Sequence, residues 1–449
     1  MTEIRIEKLS KIEGHARLVV TISKNEVKDV KLDVTEGARF FESLVRGHSC
    51  TEIPITAARI CGFCSQAHQV TAINAVEDAL GLSVSEQSLK LRELLQIAQI
   101  ISSHALHLYF LALPDYLGFA SAIEMAPARP ADFKRAMALK RVSTELCLSV
   151  GGREINAVTA AVGGFRSVPT KARLEALLDS VKNAKADAVE TARLFGSLDY
   201  PAFERRTQYF SLKNYLVSGK EVVLNSFGRN AKTWKASGKK FFEEVSEEVV
   251  DGSTAKKHAF GGKPYLTGAL ARVNNNFSFL SDDAREVALE SSIRFPSFTP
   301  FANNFAQAIE LVHFLDEATE LIEELIPKIR VEPLHALEFR KATGRALSEA
   351  PRGVLYHEYS LDERGMVRDA RIITPTQQNV RNIEEDLKAL LRELIASASA
   401  QRAGGPPNQV RRSLPKQKLV AEIEKLVRAY DPCFSCAAHF LELKLNKIK

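Results

Sequence analysis

The sequence predicts a mainly α protein with small β elements, an α+β architecture, from three observations. Apolar and polar residues alternate through the N-terminal segment, several later stretches carry apolar residues at helical spacing, and two Cys-x-x-Cys pairs stand at opposite ends of the chain.

The alternation in IRIEKLSKIEGHARLVVTISKNEVKDVKLDVT marks residues 1–36 as a β region, with Lys24-Asn25-Glu26 turning between strands. Residues 37–399 form the mainly helical body. Ser85 is placed to cap a long helix that sends Leu89, Leu91, Leu94, Leu95, Ile97, Ile100 and Ile101 towards the core. Helices are also expected through 171–198, 302–326 and 383–395, with strands and loops in 207–228 and 353–374. Residues 400–415, centred on Gly404-Gly405-Pro406-Pro407, read as an exposed loop. Residues 416–439 carry the second cysteine pair, and 440–449 form a short tail. No internal repeat is visible, so the whole chain, 1–449, is expected to form a single domain whose two ends meet.

With 45% hydrophobic residues in 449, the chain can bury a large core. Its net charge of +6 comes from 61 basic against 55 acidic residues spread along the chain, which argues against a nucleic-acid partner. The opening MTEIRIEKLSKIEGH lacks both an apolar export core and a twin-arginine signal, so a cytoplasmic protein is expected. The most apolar stretch, 96–119, is broken by Gln99, Ser102, Ser103, His104, His107 and Asp115. That makes it a core helix, with no membrane span expected.

Six cysteines in such a chain should stay reduced, and their spacing is then read as metal or redox chemistry. Cys50 and Cys147 stand alone and read as small buried residues. Cys61/Cys64 and Cys433/Cys436 offer four soft thiolates, suited to zinc, an iron–sulfur cluster or a related metal site. Zinc ribbons usually bring their second pair within about 15–20 residues. A site joining the two ends of the chain depends on the whole fold, which suits a buried catalytic metal better than a local staple.

The flanking residues narrow the choice. The first pair reads Arg59-Ile60-Cys61-Gly62-Phe63-Cys64 with His68 beyond, and the second Asp431-Pro432-Cys433-Phe434-Ser435-Cys436-Ala437-Ala438-His439. Both resemble the signature motifs of nickel–iron hydrogenase large subunits. The resemblance extends through Lys11-Ile12-Glu13-Gly14-His15, Arg39-Phe40-Phe41-Glu42, Glu349-Ala350-Pro351-Arg352-Gly353 and Pro375-Thr376 with Asn379. It implies the large-subunit fold, a central helical bundle with the N- and C-terminal motifs meeting at a buried metal site, and reversible heterolytic cleavage of H2.

Residue by residue, the resemblance makes Cys61 and Cys433 terminal nickel ligands, and Cys64 and Cys436 bridges from nickel to an iron that carries carbon monoxide and cyanide. The proton released from H2 would pass from the thiolate of Cys433 to Glu13, which alone would read as a charge at a strand end. Arg352 matches an arginine held over the metals, and Thr376, after Pro375, a hydroxyl that bonds a cyanide. Glu42, His439 and the backbone carbonyl of Ile372 match a site for magnesium or a similar hard cation. His68, His104 and His107 read as core histidines or as supports of the site. Ser103 stands where many family members have an aspartate near the arginine, which puts in question how Arg352 is held.

The motifs are most similar to the soluble, multimeric cytoplasmic branch. With no further cysteines for clusters and no G-x-G-x-x-G fingerprint, the chain needs an iron–sulfur small subunit and further electron-transfer subunits. The resemblance also implies metal-insertion chaperones and a maturation protease, for which 440–449 is the candidate cleavable tail. Two alternatives stand beside this reading: the large subunit of a membrane-bound energy-converting hydrogenase, and a non-catalytic zinc-stapled or H2-sensing subunit.

Overall fold

The structure is a computed structural model and describes residues 2–23, 26–215, 217–228, 232–403 and 416–438. The Lys24-Asn25 turn, residues 404–415, His439 and the tail lie outside the described residues.

Strands Thr2–Ile6, Ala16–Ser23 and Glu26–Val34 form an antiparallel meander. The period-two pattern puts Ala16, Leu18 and Val20 on the buried face. That face packs on helix Pro375–Ala403, where the backbone N–H of Leu32 donates to Glu384 at 2.7 Å. This helix runs four residues into the segment expected to be loop, because nothing before Gly404 breaks its periodicity.

Helices Glu86–Leu106, Pro130–Gly151, Lys171–Gly196 and Ala302–Leu325 pack on one another as the central bundle. Ser85 caps the first, its Oγ accepting from the N–H of Ser88 at 3.2 Å. Leu91, Leu94, Leu95, Ile97, Ile100 and Ile101 are buried as expected, but Leu89 is 53% exposed because it lies on the outer face of the helix with Glu86 and Glu93, while its neighbour Ser88 is buried. The apolar stretch after Gln96 continues through a π-helical segment, His107–Ala112, and lies mostly inside the protein.

Helix Ala302–Leu325 is buried on every side over its first half, as expected of a bundle's central helix. Asn303, Gln307 and Glu310 nevertheless share one face at helical spacing, and all are buried. Each is hydrogen-bonded, to Ala429 O, Asp431 and Arg272 respectively.

Strands Ala342–Ala350, Gly353–Leu361 and Val367–Ile373 form a second antiparallel sheet, with Ser218–Gly219 at its edge. Its first strand was not anticipated. The sheet packs on helix Ser65–Leu80, which begins directly after Cys64. The C-terminal helix Lys416–Ala429 then leads the chain back to the N-terminal motif.

Candidate metal centre

The sulfurs of Cys61, Cys64, Cys433 and Cys436 all lie within 4.8 Å of one another, and all four residues are buried. Cys61 and Cys433 are 3.2 Å apart, Cys433 and Cys436 3.1 Å. Each pair sits on short helical turns, Gly62–Cys64 and Phe434–Ala437, which bring both sulfurs of a pair to one side.

Backbone contacts join the two ends of the chain. Glu13 and Cys433 form a parallel bridge, in which Phe434 N donates to Glu13 O at 3.0 Å. Gly14 has φ +80°, and a Cβ there would stand 2.9 Å from Ser435 N, so only glycine fits. Arg39 adds a clamp: its N–H donates to Ala438 O at 2.9 Å, and its guanidinium donates to the carbonyls of Ile60 and Ser435. It thus holds both cysteine segments at once.

Glu13 is half-buried beside Cys433. Its Oε2 accepts from Cys433 Sγ at 3.1 Å and from Ser435 N at 3.1 Å, while Oε1 accepts from Ser435 Oγ. Thr376, in the first turn of helix Pro375–Ala403, accepts from Cys433 N at 2.9 Å, which leaves its own O–H free to donate.

Arg352 is buried against the cysteines, with Nη1 3.6 Å from Cys64 Sγ. Ser103 takes no part in holding it. The anchor is Asp431, whose carbonyl accepts from Nε at 2.6 Å and whose Oδ1 accepts from Nη2 at 2.8 Å. Gln307 donates to Oδ2 of Asp431 at 3.0 Å, and His107 meets both Gln307 and Arg428 O. Burial opposes the charge on Arg352, but Asp431 and the cysteine sulfurs outweigh it and hold the guanidinium protonated.

The other expected histidines are also buried. Nδ1 of His68 is 3.0 Å from Nε2 of His357, and burial lowers the His68 pKa to about 4. His104 meets Glu310 at 2.7 Å. Cys50 and Cys147 are buried away from the cluster, and burial pushes both thiols up, Cys147 to about 12. Glu42 lies beside Ile372 but meets its backbone N–H, which donates to Oε1 at 2.8 Å, and not the carbonyl expected to share a cation with it.

The donor set fits a soft metal site. Hydrogen bonds from the other three thiols pull Cys61 well down, while burial pushes Cys433 and Cys436 well up. Burial thus opposes the thiolates of Cys433 and Cys436, and metal ions that replace their protons would resolve that conflict.

Several supports of the site were not singled out from sequence: Asp431 as the partner of Arg352, Gln307 behind it, Ser435 on Glu13, and Arg39. The polar stripe on an otherwise buried helix was the available signal for Gln307.

Residues 39–161 match the family described as nickel-dependent hydrogenase. Sulfhydrogenase 1 subunit alpha of Pyrococcus furiosus is 34% identical over 445 residues, covering 98% of this chain and 98% of that protein. Sulfhydrogenase 2 subunit alpha of the same organism is 32% identical, over 98% and 100%. Among solved structures, an NAD+-reducing [NiFe]-hydrogenase in the H2-reduced state superposes with a TM-score of 0.86 at 20% identity, over 98% of this chain and 100% of that one.

Proposed function

The chain belongs to the nickel-dependent hydrogenases, as the catalytic large subunit of a nickel–iron enzyme acting on H2, and we propose that the groups around its four cysteines divide the work as follows. Cys61, Cys64, Cys433 and Cys436 would together hold the nickel–iron centre, Cys61 and Cys433 as ligands of nickel alone and Cys64 and Cys436 as ligands shared with an iron that would carry carbon monoxide and cyanide. When bound, this centre supplies the site at which H2 is polarised and split heterolytically.

The chain's own residues manage the proton and the surroundings. Glu13 Oε2 takes the proton from Cys433 Sγ across a 3.1 Å contact. Ser435 holds both carboxylate oxygens, one through its N–H and one through its hydroxyl, so the carboxyl keeps its aim and has a hydroxyl for onward transfer. Arg352, kept charged by Asp431, directs Nη1 towards the sulfur of Cys64 and offers a donor to a cyanide. Thr376, after Pro375, orients Cys433 through its backbone N–H and offers its own hydroxyl to the other cyanide.

Glu42, the Ile372 carbonyl and His439 are assigned to magnesium or a similar hard cation, supported by the contact between Glu42 and Ile372. The electrons leave through an iron–sulfur small subunit and further electron-transfer subunits. The similarity to alpha subunits of sulfhydrogenases supports such an assembly, of the soluble multimeric branch and located in the cytoplasm.

The convergence of four buried sulfurs beside Glu13 carries this reading. Metal analysis and H2 uptake of the purified complex test it. Nickel and iron in equal amounts, both lost in Cys433→Ser, are expected. Zinc without nickel or iron would favour a structural subunit instead.

A further inference from the structure

Arg352 sits at the tip of a hairpin that lies outside the usual two-residue types. Strands Ala342–Ala350 and Gly353–Leu361 close at the pair Ala350 and Gly353, so Pro351 and Arg352 form a two-residue hairpin loop. Such loops prefer types I′ and II′, both of which need a positive φ at the first central residue. A proline ring holds φ near roughly −65°, which shuts out both types. Pro351 and Gly353 instead suit a type I turn, which splays the strands it joins, so contacts around the tip decide how firmly it is held.

Arg272, on helix Ala269–Asn276, supplies such contacts. Its Nη1 donates to Ala350 O at 3.1 Å and its Nη2 to Pro351 O at 3.0 Å, the two carbonyls immediately before Arg352. The remaining donors go to carboxylates: Nε and Nη2 to Glu310 at 2.6 and 2.7 Å, and Nη1 to Glu349 at 2.9 Å. All five N–H groups of the guanidinium are thereby used. Glu310 is held in turn by His104 at 2.7 Å and Tyr215 at 2.8 Å, and Glu349 by Leu212 N at 2.7 Å. These side chains are buried, which makes their geometry stiff.

The far side of the turn is held by the residues that precede the same helix. Val354 N donates to Thr267 Oγ1 at 2.9 Å, and a Cβ on Gly268 would stand 3.2 Å from Arg352 O. One short segment, Thr267 to Arg272, therefore grips the hairpin tip before and after Arg352.

We infer that Arg272 is a positioning residue: it fixes the Pro351-Arg352 tip and so sets where the Arg352 guanidinium stands beside Cys64, an inference that rests on the hydrogenase reading above. Lysine at this position would keep the charge but cannot reach two carboxylates and two carbonyls with one nitrogen. The tip would then relax, and a displacement of about 1 Å at a reacting site costs on the order of a hundredfold in rate.

The test is Arg272→Lys in the purified complex, alone and combined with Arg352→Lys. It is read by nickel and iron content, by the infrared bands of the diatomic iron ligands, and by H2-dependent isotope exchange. Metals retained, bands shifted and exchange lowered roughly 10- to 100-fold are expected, and in the Arg352→Lys background Arg272→Lys should add less than about twofold. Glu310→Gln, isosteric and milder, passes through the same cycle and replaces Arg272→Lys if that variant does not accumulate. Unshifted bands with full exchange would overturn the inference. So would losses that multiply in the double variant, since Arg272 would then act independently of Arg352. A wild-type complex without nickel, iron or exchange would instead overturn the hydrogenase reading itself.

Discussion

The Oε2 atom of Glu13 lies 3.1 Å from the sulfur of Cys433, although the two residues stand 420 positions apart in the chain. A backbone bridge brings the two residues together, and Ser435 aims the carboxylate at the sulfur.

Glu13→Gln is expected to keep nickel and iron while lowering H2 turnover by about 10²- to 10⁴-fold. Glutamine can still accept from Ser435 N, but it cannot carry the proton. Wild-type turnover in both directions would show that the proton leaves by another route.

Arg352→Lys is expected to retain the metals and cut turnover by about 10²- to 10³-fold, since an ammonium cannot both span Asp431 and face Cys64. Steady-state H2 oxidation with metal analysis checks this. Unchanged kinetics would leave Arg352 only its contacts with Asp431.

Thr376→Val removes the acceptor of the buried Cys433 N–H, which should destabilise the C-terminal motif by about 1–3 kcal/mol. Thr376→Ser keeps the oxygen and should behave as wild type. Thermal midpoints and nickel retention compare the two, and equal losses would deny the role of the hydroxyl.

His258 and His313 are buried, and burial lowers each pKa to about 4. Nδ1 of His313 accepts from Ser281 N, which fixes a neutral tautomer. Because the folded values lie below the unfolded value of about 6.5, the unfolded chain binds more protons between those limits. Stability should hold above pH 6.5 and fall as pH drops towards 4, by up to ~3 kcal/mol for each histidine. His313→Gln should make that decline shallower; an identical decline in melting temperature would assign the acid sensitivity elsewhere.

Much of the site was legible because its chemistry is local in sequence. Two Cys-x-x-Cys pairs, Glu13, Arg352 and Thr376 lie in short motifs, and the structure brings all of them together. The helical body was legible from periodicity, and Ser85 from its cap chemistry. Leu89 is the exception because it shares the outer face of the helix with Glu86 and Glu93, which an apolar count does not register. The strand Ala342–Ala350 escaped because it is largely buried and lacks clean alternation. The anchor of Arg352 escaped for a different reason. With Ser103 in place of a carboxylate, the support comes from Asp431 and Gln307, a pairing across the fold that no local pattern states. Arg272 is hidden in the same way, since its five donors reach Glu310 and the run 349–351, both distant from it in sequence.

The most direct test of the central claim is X-ray absorption at the nickel edge of the purified complex. Four sulfur ligands at roughly 2.3 Å with an iron neighbour are predicted, and Cys64→Ser or Cys436→Ser should remove the iron contribution. Absence of nickel, or a lone zinc among the four sulfurs, would contradict the account.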